Sequence, residues 1–207
     1  MSSTPASGIS RKLTLADIAD LRAYERERAE FRARVVELKR RRRVPLGTFV
    51  TVVFENRETI RFQIQEMARV EKLIADEDIR TELDVYNVLV PEPGQLCASL
   101  FIELTSDESM REWLPRLVGI EHHLLLRLHD GTERRAVPEE QHAAQLTREH
   151  ITSAVHYYRF ELTPNEIERL AVGPVTLVVD HPMYHEETEL AEHTVAELLA
   201  DLLADLH

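Results

Sequence analysis

The side chains of this chain that could do chemistry are mostly imidazoles and carboxylates. Ten histidines stand among its 207 residues. The densest group is Asp180, His181, His185, Glu186 and Glu187, placed at and after a nearly all-apolar stretch that begins at Val175. Imidazole with carboxylate suits iron, manganese or zinc. Strand ends are also where sites collect in α/β sheets. His181 and His185, four apart, would share one face of a helix, but Pro182 makes the backbone there uncertain. The plainer alternative is a solvated acidic loop. His156 shares a strand face with Ala154, Tyr158, Phe160 and Leu162, where a histidine is ordinarily a packed residue with its nitrogens satisfied. As a ligand it would reach the end of a neighbouring strand. His156, Asp180, His181 and His185 thus form the candidate metal set, and the cofactor they would hold is a divalent iron, manganese or zinc ion.

A second constellation is Glu55-Asn56-Arg57, where a strand is expected to enter a helix. A helix N-terminus with an adjacent arginine can hold an anion. A cap with a surface salt bridge explains the same residues without a ligand. Arg159 and Glu161 share one strand face and could pair. His122 and His123 open a strand, so their side chains diverge and cannot chelate one ion without other ligands. The six glycines form neither a dinucleotide nor a phosphate loop. Ser153 has no flanking glycines of a nucleophile elbow. The single cysteine, Cys97, excludes an internal disulfide, a zinc knuckle and a thiolate-held iron–sulfur cluster. On a strand it reads as a packed thiol rather than a nucleophile.

These groups need elements to position them. Residues 1–12 are expected to be disordered, and 13–207 to form a single α/β domain with a helical arm over 13–43. Thr14 caps a first short helix, and a longer one is predicted from Tyr24 to Arg42, with Phe31, Val35 and Leu38 as a narrow apolar stripe. That stripe must lie on the body or on a partner subunit. Pro45 and Gly47 end the helix. A strand follows over Thr48–Glu55, then a helix over Arg57–Ala75 with Ile60, Ile64 and Met67 at helical spacing. The rival there is a hairpin, because Ile60, Phe62 and Ile64 also alternate. A short helix is predicted over Asp76–Tyr86 and strands over Gln95–Thr105, His122–His129, Thr152–Leu162 and Val175–Asp180. Ala98, Leu100 and Ile102 face one way, Cys97, Ser99 and Phe101 the other. Ser106 caps a short helix holding Trp113. Another short helix is expected after Pro138, and a third opens at Thr163-Pro164. Leu190–Leu206 closes the chain as an amphipathic helix. The fold class is α/β, with α+β as the alternative: a single mixed sheet with interleaved short helices. Two strand–helix–strand passages, 97–129 and 153–180, match in outline but not in residue identity.

Charge is uneven. Residues 1–43 carry a net +6 and the remainder −18. A basic arm on an acidic body could bind nucleic acid, its own body or a second copy. The acidic body would repel phosphate, so nucleic acid is not expected. Met1–Ser10 lacks the apolar core of a secretory signal, and no apolar run reaches the roughly 20 residues of a membrane span. A cytoplasmic location is expected.

The segments EFRARVVELKRRRRVPLG, FENRETIRFQIQEMAR, SAVHYYRFELT and VDHPMY together resemble the bacterial family of unknown function numbered 3501, over about Leu13 to Leu206. The resemblance implies an accessory role beside rubrerythrin-like and iron–sulfur oxidoreductase proteins, and it carries no catalytic residue. Three functions stay open. The first is a cytosolic, homodimeric accessory protein that binds iron or another divalent metal through the four residues above and docks to a redox partner. The second is a small metal-dependent enzyme using Glu103 or Glu161 as acid or base. The third is a structural interaction module joined through the Phe31–Val35–Leu38 stripe.

Overall fold

The computed structural model describes residues 11–139 and 151–203. After a 3-10 turn over Leu15–Asp17 capped by Thr14, helix α1 runs Leu21–Arg42. Asp20 caps it by accepting from the N–H groups of Arg22 and Ala23. Strands β1 (Arg43–Leu46) and β2 (Val50–Glu55) follow, then helices α2 (Arg57–Glu71) and α3 (Asp76–Tyr86). The helical pattern at Ile60, Ile64 and Ala68 prevails over the hairpin alternative, and Lys72 ends α2 in the left-handed region at φ 56°. The chain continues through β3 (Gln95–Ile102), α4 (Asp107–Arg116), β4 (Leu124–Arg127), β5 (Glu133–Arg135), β6 (Val137–Pro138), β7 (Val155–Glu161), α5 (Pro164–Val172), β8 (Thr176–His181), β9 (Tyr184–Glu189) and α6 (Glu192–Leu203). The helix predicted after Pro138 falls mostly outside the described residues, as do 1–10 of the expected disordered segment and Leu206. Arg11 and Lys12 are anchored, donating to the carbonyls of Asp201 and Val90.

The mixed α/β class holds, but the single mixed sheet is replaced by two sheets in which every pairing is antiparallel. One has the order β1-β2-β3-β7-β6 and the other β5-β4-β8-β9. The reason is visible in the two look-alike passages. β3–α4–β4 and β7–α5–β8 each leave the first sheet, pass through a short helix and enter the second. A helix between strands then serves as a crossing between layers rather than a return within one sheet, so the described strands form no parallel pair.

Inner faces of both sheets share one core. Val52, Phe54, Leu100 and Phe160 from the first meet Leu126, Leu177 and Val179 from the second, with Leu198 and Leu202 of α6. The outer face of the first sheet is covered by α1, α2 and α3, so every residue of β2 is buried. Such double cover explains the weak alternation of this strand. α1 lies on α2 through the chain's own groups. Phe31 packs edge-on to Phe62, Tyr24 donates to Glu66 Oε1 at 2.6 Å, and Arg28 grips both oxygens of Glu66 at 2.7 and 2.9 Å. Phe31 and Val35 of the predicted stripe are therefore covered by the body. Among the described residues, no helix is long and apolar enough to cross a membrane.

Candidate functional site

Pleating decides what the outer face of the first sheet presents. With Val52 and Phe54 turned to the core, Val53 and Glu55 turn to the helices, and from β3 Cys97, Ser99 and Phe101 do the same. Glu55 is the last residue of β2 and only 4% exposed. Its Oε1 accepts a hydrogen bond from Ser99 Oγ at 2.8 Å. Its Oε2 is buried and finds no hydrogen-bond donor among the described residues. Lys39 Nζ, from the last turn of α1, stands 3.6 Å from that oxygen, inside ion-pair range but beyond a hydrogen bond.

These groups line a hollow of 260 Å³ between the sheet and the helices. Ile60 and Gln63 of α2 form its roof, Tyr86 and Leu89 one side, and Phe101, Val155 and Tyr157 its floor. Burial raises the Tyr86 phenol above its ordinary range and pushes Tyr157 up to about 12, with Tyr86 and Glu55 adding to the effect. Both phenols keep their protons at neutral pH. The site therefore holds a carboxylate with an open acceptor, a primary amine and two neutral hydroxyls against apolar walls. A larger hollow of 460 Å³, lined by Leu15, Ile18, Leu73 and Ile79 together with Asp20, Arg22 and Asp76, presents no orphaned buried side-chain atom among the described residues.

Of the anion set, only Glu55 faces this hollow. Asn56 caps α2, accepting from Thr59 N–H at 3.0 Å while Thr59 Oγ1 accepts from Asn56 N–H at 2.9 Å. Arg57 donates to Asp17 Oδ1 at 2.6 Å and to the carbonyl of Arg11 at 3.0 Å. The helix terminus and its arginine are thus taken by the chain itself.

The metal set is not brought together. Among the described residues, no three His, Cys, Asp or Glu side chains gather to hold an ion. The segment after Asp180 is a hairpin and not a loop, with Pro182 and Met183 as its turn. Asp180 pairs across it with His185, and His181 with Tyr184, so the two pairs point to opposite faces. His185 is exposed and His181 buried. Both nitrogens of His181 are used: Nδ1 accepts from Met183 N–H at 3.2 Å, and Nε2 donates to the Val118 carbonyl at 3.2 Å. His156 belongs to the other sheet, its Nε2 2.9 Å from Thr152 Oγ1 and 3.0 Å from the Ser153 carbonyl, and burial lowers its pKa. Asp180 is gripped by Arg135 at 2.9 and 2.7 Å, which with His123 holds its carboxyl down at about 2. Arg159 and Glu161 do pair, at 3.1 Å. Glu103 is half exposed and bonded to Arg43 and Thr51. Burial pushes the Cys97 thiol up to about 12.

Sequence reasoning missed Lys39, Ser99, Gln63, Tyr86 and Tyr157. Lys39 reads as one of several cations at a helix C-terminus. Alternation alone turns Ser99 outward, but only the pairing of Val53 with Ser99 brings it beside Glu55. His123 was set aside because neighbouring strand residues diverge. It sits before β4, its Nδ1 2.9 Å from Asp180.

No curated protein matches the chain. It is similar to the crystal structure of a novel protein of unknown function from Burkholderia pseudomallei, at 37% identity and a TM-score of 0.85, over 92% of this chain and 99% of that one. The family described as Protein of unknown function (DUF3501) matches residues 12–202, and the chain belongs to that family.

Proposed function

We propose that this chain binds a small molecule in the hollow over Glu55 and that binding, rather than catalysis, is its task. One observation carries the proposal: Glu55, a nearly fully buried carboxylate whose Oε2 has no hydrogen-bond donor among the described residues, lines the hollow. An unsatisfied buried acceptor costs about 1–3 kcal/mol, and more when charged. A ligand that donates to Oε2 recovers that cost. Catalysis is disfavoured by the neighbours: Ser99 Oγ–H donates its hydrogen bond to Glu55, no imidazole among the described residues lines the hollow, and the Cys97 thiol is held protonated. The accessory role that the resemblance implies, beside a redox partner, is consistent with a binding protein. A divalent metal held by His156, Asp180, His181 and His185 would require the hairpin to be rebuilt, so the ligand of this proposal is organic.

The test is a thermal-shift screen of small amines, alcohols and amino acids against the intact chain and Glu55→Gln. Compounds that raise the melting temperature of the parent and leave the variant unmoved are expected. A parent that responds to none of them, or a variant that responds equally, overturns the proposal.

A further inference from the structure

We infer that the hollow over Glu55 takes a small zwitterion with an apolar side chain, an α-amino acid in chemical class, its ammonium on Glu55 Oε2 and its carboxylate on Lys39 Nζ. The inference rests on the binding proposal above and narrows it.

Two opposite charges face one space, paired with each other at ion-pair range but not closed by a hydrogen bond. Glu55 Oε2 lacks a donor, and Lys39 makes no hydrogen bond among the described residues. Their 3.6 Å separation is too long for a hydrogen bond, so the pair is held in register without being closed. A simple amine would satisfy Oε2 but bring a second cation against Lys39. A simple carboxylate would satisfy Lys39 but set a second anion against Glu55. Like charges at such range in a shielded site are costly. A zwitterion answers both groups and leaves the net charge unchanged. In an α-amino acid both charged groups are borne by one carbon, close enough to address a pair this near together.

Size and walls narrow the class further. At 260 Å³ the hollow falls just below the roughly 300–1,000 Å³ of clefts that hold drug-sized ligands. Ile60, Leu89, Val155 and Phe101 offer an aliphatic or aromatic side chain an apolar lining. The Lys39 side chain is 30% exposed while Glu55 is buried, so the carboxylate end of the ligand lies toward solvent and the ammonium end lies deep.

A matched series tests this on the full chain by titration calorimetry. L-leucine carries both charges. 3-Methylbutylamine is its skeleton without the carboxylate, and 4-methylpentanoate is that skeleton without the ammonium. L-leucine is expected to bind at least about ten-fold more tightly than either. In Lys39→Met, whose side chain is partly exposed and whose folding is checked by circular dichroism, leucine should fall to the affinity of the amine. Amine binding as tight as leucine in the parent, or an unchanged leucine preference in Lys39→Met, overturns the inference and leaves the binding proposal standing. No heat from any of the three also overturns it, and the broader screen then decides the binding proposal separately.

Discussion

Glu55→Gln separates a binding residue from a structural one before any ligand is known. The Lys39–Glu55 attraction at 3.6 Å is about 4–5 kcal/mol gross at an effective dielectric near 20. Lys39 is 30% exposed, so screening brings the net pair to about 1 kcal/mol. The Ser99 hydrogen bond to a charged acceptor adds about 1.5–3 kcal/mol. Against these stand the several kcal/mol of taking a carboxylate out of water and the open acceptor at Oε2. The two sides nearly cancel. Glutamine keeps the shape and the Ser99 bond, now worth about 1 kcal/mol, and removes the charge to be desolvated. Ligand-free Glu55→Gln is therefore expected within about 1 kcal/mol of the parent, with either sign. Urea titration with equal m-values is the assay. A loss above about 3 kcal/mol is the usual result of breaking a structural buried pair. That result would make Glu55 a fold residue, and the case for a ligand at Oε2 would fall with it.

Other expectations follow from the same contacts. Arg42 is 1% exposed and donates to Asp201 at 2.6 and 3.0 Å and to Glu197 at 3.0 Å, so Arg42→Met should cost about 2–4 kcal/mol, the partners' partial exposure softening the loss. A urea midpoint close to the parent's would show that water replaces the guanidinium. Arg135 holds Asp180 at about 2, below its ordinary 3.8. A depressed folded pKa contributes stability that is present above the unfolded value and lost as pH falls toward the folded one. The stability difference between the parent and Arg135→Met should thus be constant above about pH 4 and shrink toward about pH 2. A difference unchanged across that window refutes the assignment. Val35→Asp buries a charge under α1 and should lower stability by on the order of 3 kcal/mol. A fully stable variant whose mass by light scattering has halved would instead locate an interface between copies.

Helices were legible where the chain writes both a cap and a stripe. Asn56 with Ile60 and Ile64, and the cap and first turn at Thr163-Pro164, fall where caps and spacing put them, although Ala68 rather than the expected Met67 takes the buried place on α2. Strand faces were legible too, since Ala98 and Leu100 do go to the core and Ser99 and Phe101 do not. What pleating cannot write is which sheet a strand joins. β4 and β8 carry the same apolar signature whether they extend the first sheet or build a second. β1 hid behind Pro45 and Gly47, which signal an ended helix, although Pro45 is tolerated because β1 is an edge strand. The acidic run after His181 read as a loop because Glu186, Glu187 and Glu189 are poor strand formers. Cross-strand pairing overrides propensity there, and the metal set lost its shared face as a result. Of the site, Glu55 was legible at a strand-to-helix junction, but its chemistry was not. Lys39 and Tyr157 reach it from 16 residues before and 102 after, distances in sequence that only the fold closes.

The last turn of α1 and the residue after it show why the basic arm belongs to an acidic body. Arg41 reaches Glu197 at 3.1 Å, Arg42 is buried against Glu197 and Asp201 of α6, and Arg43 holds Glu103 beside β2. Thr194 of α6 donates to the carbonyl of Arg41 at 2.7 Å. These contacts fix the end of the helix from one side. Lys39, on the same turn, points instead to the outer face of the sheet and Glu55. A lysine is a flexible donor on a long stem, and holding it within 3.6 Å of a buried carboxylate requires that its backbone not move. The arginine clamp supplies that rigidity from groups that never touch the hollow. Support of a site's backbone by neighbouring contacts is how affinity is gained without new ligand contacts. On this argument the charge asymmetry read from the sequence helps position Lys39 over Glu55.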